Sequence, residues 1–203
     1  ALATWRGPVL YAVEEKPVQG DDQDVQRAAH WAKNKMLEVI DPFSRIYVGN
    51  LKDKRPCCNV DRIGVGAGTL YTLKTERQQA IAQNAPYWDV RGVHWGRRAK
   101  KKSQFINLKA EHFWQLREGL ENRELAIAPL GKIEERMMEE LSSVYYEETV
   151  AEKIRAEDKK KTIERLGHSP NLADAVVMGK ADITPAHPAA ESPPGTFGYN
   201  PTA

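Results

Sequence analysis

Two aspartates in this chain stand where a carboxylate is chemically expensive. Asp61 comes late in a mostly apolar run, residues 57–63 (CCNVDRI), just before Gly64-Val65-Gly66-Ala67-Gly68. In an α/β sheet the carboxyl end of a strand faces the ligand crevice. A carboxylate buried there must be paired or must bind a cation. The plainer alternative is an Asp that caps the following turn or pairs with Arg62. Asp174 lies between Ala173 and Ala175, small residues that let a helix pack close against a sheet. Its plainer alternative is an acid complementing the helix dipole about one turn after a start at Ser169-Pro170. Were the two to converge, their oxygens would suit Mg2+ or Mn2+. Two such ions ~4 Å apart stabilise both the attacking and the leaving oxygens in phosphodiester cleavage.

The glycine run excludes two nucleotide sites. A phosphate-binding loop needs Lys-Ser/Thr after its last glycine, and Thr69-Leu70 follow here. The dinucleotide fingerprint fails on spacing. What remains is a tight turn that aims Asp61. A second kind of chemistry lies in the basic stretch. Between Arg91 and Lys109 there are seven Lys and Arg residues and no acid, so the net charge of +2 leaves −5 for the remainder. Arg97, Arg98, Lys100, Lys101 and Lys102, with Trp95 and Phe105 nearby, suit contact with a DNA backbone. The alternative is a solvated loop flanking a helix. Lys159-Lys160-Lys161 reads as plain helix surface, and Phe113 and Trp114 as core before base-stacking platforms.

The elements that must position these residues follow from periodicity. Residues 1–6 and 9–15 read as strands joined by an Arg6-Gly7-Pro8 turn. Apolar positions from Val25 to Ile40 recur at helical spacing after an acidic loop, and Asp41-Pro42 ends that helix. Residues 45–49 (RIYVG) read as a strand. Strand, glycine turn and helix follow over residues 57–82, then a strand over 87–95. A helix spans residues 108–121 with Leu108, Phe113, Leu116 and Leu120 on its core face. Another carries Ile133, Met137, Met138, Leu141 and Val144. A short strand near 153–155, a charged helix at 159–166 and a final helix capped by Ser169 complete the pattern. Strands followed by alternating helices and strands make a mixed α/β sheet. Residues 181–203 hold five prolines and few aliphatics, so we divide the chain into a domain at 1–180 and a flexible tail at 181–203.

With 203 residues and a 41% hydrophobic share, the chain can bury one real core; its mean hydropathy is −0.60. No apolar run approaches the ~20 residues of a membrane span, and residues 1–15 carry no signal-peptide pattern. Cys57 and Cys58 read as two small apolar residues of a buried strand in a reducing cytoplasm. The strand-like opening at Ala1 reads as a piece of a longer protein.

Three segments resemble one known family in its own order. Asn59 to Gly68 resembles the V-D-x-x-G-x-G-x-G signature of the nuclease domain of phage terminase large subunits. Asn107 to Glu118 is similar to that family's N-x-[RK]-x-E-x-x-x-x-L-R helix. Arg165 to Ala175 resembles its closing R-L-G-x-S-P-D-x-A-D-A segment. The resemblance implies an RNase H-like mixed sheet flanked by helices. It implies a Mg2+- or Mn2+-dependent DNA endonuclease with two ions, cutting concatemeric viral DNA at the start and end of packaging. Asp61 matches the family's second metal-binding acid and Asp174 its last, while Asn171 stands where the family usually has Asp. The family's first acid lies on a strand preceding the hairpin. No residue here matches it, so that strand is expected upstream of Ala1, and this fragment alone is expected to be inactive or nearly so. Double-stranded DNA, an upstream ATPase domain, the portal protein and the small terminase subunit are the implied partners, in the cytoplasm of a bacterial host, with no membrane. Two rivals remain: a non-catalytic DNA-gripping or motor-docking module of a degenerate prophage, and another RNase H-like enzyme such as a junction resolvase.

Overall fold

Hydrophobic alternation and a glycine at φ +57° make the first hairpin. In the computed structural model, which describes residues 1–17, 23–44 and 56–181 (side chains only to residue 38 in the second stretch), β1 (Leu2–Arg6) and β2 (Val9–Glu14) pair antiparallel around Gly7. A long helix, α1 (Asp24–Ser44), follows. β3 (Cys57–Asp61), α2 (Val65–Ala82) and β4 (Asp89–Val93) form a right-sized strand–helix–strand unit, and β3 and β4 pair in parallel. After α3 (Leu108–Glu121), the two-residue β5 (Ala126–Ile127) adds to β2 in parallel. α4 (Ile133–Ser142), the antiparallel pair β6 (Tyr146–Glu148) and β7 (Ile154–Ala156), α5 (Lys159–Leu166) and α6 (Asn171–Lys180) close the fold.

The main sheet is in two pieces, β1-β2-β5 and β3-β4. Among the described residues β1 and β3 each keep one unpaired edge, and both edges line the same groove of about 570 Å³, floored by α6 and by Met36 of α1. β3 pairs on one side only, through β4, and at its start Cys57, expected in a buried strand, is exposed while Cys58 is buried. Burial raises the Cys58 thiol pKa to about 12.

Two apolar cores hold the pieces. Leu10 and Val13 of β2 meet Phe113 and Leu116 of α3, Met137 of α4, and Leu172 and Val176 of α6. Ala29 and Met36 of α1 meet Cys58, Leu73 and Trp88 across the β3-β4 unit. Each large side chain so buried contributes roughly 1.5–3 kcal/mol. α6 crosses between the two: the Trp5 indole donates to Val176 O at 3.0 Å, and the Asn59 amide donates to Met178 O at 2.8 Å. Gly179 is required there, because a Cβ would sit 2.8 Å from the Trp5 ring.

Two local expectations change. α1 runs on to Ser44, two residues past Pro42. A proline loses its own N–H bond and crowds the carbonyl one turn back, and here the helix stops within two residues of it. The expected strand at 45–49 and residues 182–203 of the expected tail lie outside the described residues.

Candidate nuclease site

Asp61 is the last residue of β3, and Arg62 still donates to Val93 O of β4 at 2.9 Å. The chain then reverses into α2 through Gly64, at φ +59° and ψ −135°. Gly66 begins the helix so close to the strand that a Cβ on it would lie 2.3 Å from Asp61 O. Gly68 is pressed against Val25 of α1, where a Cβ would lie 2.8 Å from a Val25 methyl. Gly66 therefore serves close packing of α2 on the end of β3, and Gly68 the packing of α2 on α1. The Asp61 carboxylate accepts from Ile63 N at 3.2 Å, the turn-capping bond that was the plainer alternative, and it is half-buried. That single bond occupies Oδ1 and leaves most of the carboxylate's acceptor capacity unused.

Asp174 sits one turn into α6, and its surroundings are ionic. Lys159 of α5 donates to Oδ2 at 3.1 Å. Lys109 of α3 places its ammonium 3.1 Å from Oδ1 as an ion pair, out of line for a hydrogen bond, and buried Oδ1 accepts none. The start of α6 is held by a residue no sequence motif pointed to. Glu140 of α4, fully buried, accepts from Leu172 N at 2.7 Å and Ala173 N at 3.1 Å. It thus replaces the Ser169 side chain expected as the cap; from its own flank α6 has no side-chain cap bond, and Asn171 N donates to the main-chain Ser169 O at 2.8 Å. Arg136 and His168 lie 3.3 and 3.6 Å from the other Glu140 oxygen. Asn171 is exposed at the first position of α6.

Asp61 and Asp174 lie on elements in contact, since Asn59 ties β3 to the far end of α6. Among the described residues no hydrogen bond joins the two carboxylates, and no three His, Cys, Asp or Glu side chains gather as a metal-binding set. The donor chemistry nevertheless fits a hard divalent ion: each acid keeps lone pairs free of hydrogen bonds, one of them buried and unsatisfied. Arg97, Arg98, Lys100, Lys101 and Lys102 are all exposed on the segment between β4 and α3. That segment is anchored, not solvated along its length: Ala99 and Phe105 pack on Ala110. Phe113 is core, as expected, and Trp114 packs edge-on to Tyr146 and donates to Glu118.

Glu111 is the acid of the α3 motif, whereas Glu140 lies in none of the three motif segments, yet both carry a further signal in the sequence. Glu111 stands three residues after Leu108 and Glu140 three after Met137, so both fall on the apolar stripe of their helices. An acid on such a stripe is buried and must find donors.

No family model matches the chain, and no curated protein matches it in sequence. Structural comparison does find relatives of its shape. The nuclease domain of the large terminase subunit of bacterial virus Sf6, in a point-mutant form with manganese, superimposes with a TM-score of 0.63, at 20% identity, over 87% of this chain and 80% of that one. The chain has the fold of a terminase nuclease domain. The same Sf6 domain without the mutation gives a TM-score of 0.61 at 19% identity, over 87% and 79%. The mutant with calcium gives 0.63 at 20% identity, over 87% and 79%. The terminase nuclease fold is RNase H-like, and the two-piece sheet described above is this chain's version of it. None of its described helices is long and apolar enough to cross a membrane.

Proposed function

We propose that this chain is the nuclease domain of a viral DNA-packaging terminase large subunit, a metal-dependent DNA endonuclease that cuts concatemeric phage DNA when packaging starts and ends. What carries the reading is the coincidence of a terminase nuclease fold with aspartates at the two positions its sequence signatures mark, Asp61 at the end of β3 and Asp174 on α6. Asp61, Asp174 and the amide oxygen of Asn171 would hold Mg2+ or Mn2+, two ions in the complete site. When bound, the metal stabilises charge on the phosphodiester and makes water a better nucleophile. The Sf6 domain has been solved with manganese and with calcium. A third acid is needed, which the family resemblance would put on a strand preceding β1; the unpaired edges of β1 and β3 beside one groove support that reading. Arg97, Arg98 and Lys100 to Lys102 would follow the duplex backbone without reading bases. Portal protein, small terminase subunit and an upstream ATPase domain are the proposed partners, in the cytoplasm of the bacterial host.

The test uses the polypeptide extended upstream through the next strand, incubated with plasmid and Mn2+. Cutting is expected, and Asp61→Ala or Asp174→Ala should abolish it. Undiminished cutting by either variant refutes the metal role of that residue. A second reading is favoured by the two ammoniums on Asp174 and the absence of a third acid among the described residues: a DNA-gripping module that does not cut. It predicts duplex binding by the extended protein with no cleavage in any divalent metal.

A further inference from the structure

The segment between β4 and α3 carries five exposed cations, and a charged loop binds a duplex more tightly when its charges are already held in one arrangement. A flexible stretch would lose conformational entropy on binding. Here the main chain is fixed at several points. Arg97 O accepts from Leu108 N at 2.8 Å, and Phe105 N donates to Lys101 O at 3.1 Å. Phe105 also bridges to Ile154 of β7, whose N–H donates to Gln104 O at 2.7 Å. The middle of the loop, where the lysines stand, has a different fastening. The Glu111 carboxylate, 0% exposed, accepts from Lys100 N at 2.6 Å and from Lys101 N at 3.1 Å. A buried acid that takes two successive main-chain N–H groups fixes the plane of the intervening peptide. It thereby fixes where the Lys100 and Lys101 side chains leave the surface.

We propose that Glu111 is a positioning residue for nucleic-acid binding: from beneath the loop its carboxylate holds the Lys100–Lys101 main chain so that Lys100, Lys101 and Lys102 meet consecutive phosphates of a DNA backbone. This deepens the proposed function and rests on its reading of the basic loop. The same first turn of α3 carries Asn107, whose side chain accepts from Ala110 N at 3.0 Å, and Lys109, which reaches Asp174. One rigid helix start therefore ties the loop to the cutting site. An apolar side chain cannot replace this anchor, because Leu would leave the Lys100 and Lys101 N–H groups without their acceptor. Gln offers a single acceptor oxygen and keeps part of the geometry.

The experiment titrates a short fluorescein-labelled duplex with the full chain, by anisotropy, over a range of salt concentrations. Each engaged phosphate contributes roughly −0.9 to the slope of log K against log salt. Glu111→Leu should weaken binding about tenfold at low salt and make the slope shallower by about one to two, while Glu111→Gln recovers part of both. Trypsin should nick the loop at Lys100 to Lys102 faster in Glu111→Leu than in wild type. Wild-type affinity and slope in both Glu111 variants would overturn the proposal. If Glu111→Leu unfolds, the near-isosteric Glu111→Gln decides by the same two readouts. A triple Lys100→Ala, Lys101→Ala, Lys102→Ala variant separates the two layers. If it binds as wild type, the basic loop is not the DNA contact, and both the inference and that part of the proposed function fail. If it binds weakly while the Glu111 variants do not, the inference alone fails.

Discussion

Asp61 stands where a strand ends against the start of the next helix, and main-chain packing sets its position: β4 on one side, Gly66 pressed onto its own carbonyl on the other. Asp174 stands on a helix that Leu172, Ala173, Val176 and Val177 bury in the apolar core, but its start and the carboxylate itself are held by charge. Glu140 grips the helix start from α4, and lysines from α3 and α5 converge on the carboxylate. The difference matters for how each position fails. A steric arrangement fails abruptly when an atom is added, whereas an ionic one fails by degrees and depends on pH and salt.

The largest break is predicted on the steric side. Gly66→Ala puts a methyl 2.3 Å from Asp61 O, a main-chain atom with no rotamer to give. A loss of roughly 3 kcal/mol is expected, read by urea unfolding of the chain. A variant as stable as wild type would show that the close approach does not fix Asp61.

The next break is Glu140→Leu. Two helix N–H groups in a buried setting lose their acceptor, and about 2 kcal/mol should go with them. Hydrogen exchange at Leu172 and Ala173 should accelerate more than at Val176 or Val177. Uniform acceleration across α6 would mean that Glu140 supports the whole helix and not its start.

Much of this arrangement was legible in the sequence. The bounds of α3 and α5 follow from apolar spacing and charge, because each is a local amphipathic pattern. Asp61 at a strand end before a glycine turn is likewise a local pattern, and the structure gives each glycine its reason. The cap of α6 was not legible. Ser169-Pro170 carries a local cap signature, and a tertiary acceptor 32 residues earlier in the chain displaced it. Lys159 looks like a surface lysine on its own helix and Lys109 is marked only as the basic position of the α3 motif; the fold alone brings both ammoniums to Asp174. The two-residue β5 has too few positions to show any periodicity.

A smaller effect tests whether charge also organises the join between β7 and α5. Glu157 follows β7 and receives both ends of the Arg165 guanidinium at 2.7 and 2.8 Å, with Tyr145 N and the Thr162 hydroxyl. The Arg165 bonds hold its pKa down to about 2, against the opposing effect of desolvation. A depressed folded-state value means the stabilisation is full above the unfolded pKa of ~4.3 and is lost as pH falls from there towards 2. Thermal melts of wild type should therefore lose midpoint steeply across that window. Glu157→Gln should start lower at neutral pH and fall less. Parallel curves for the two proteins would remove Glu157 from the acid response.

The smallest effect on stability, and the sharpest test of the comparison, comes from the two lysines. Lys159 is 46% exposed and Lys109 21%. Exposed ion pairs contribute little, so Lys159→Met should cost under about 0.5 kcal/mol and Lys109→Met about 1 kcal/mol at most. Their effect on a cation should be larger than their effect on the fold. Two ammoniums beside one carboxylate repel a divalent ion electrostatically, and the Lys159 hydrogen bond takes up part of Oδ2 while Oδ1 stays free of hydrogen bonds. Removing either should strengthen Mn2+ binding several-fold at low salt, read as a larger Mn2+-induced rise in melting temperature than wild type shows. The gain should shrink as salt screens the charges. Asp61→Asn in the same background should reduce the Mn2+ response if both acids serve one ion site. If Lys109→Met gains affinity and Asp61→Asn changes nothing, Asp174 binds its ion without Asp61. In that case the steric and the ionic arrangements belong to two sites and not to one.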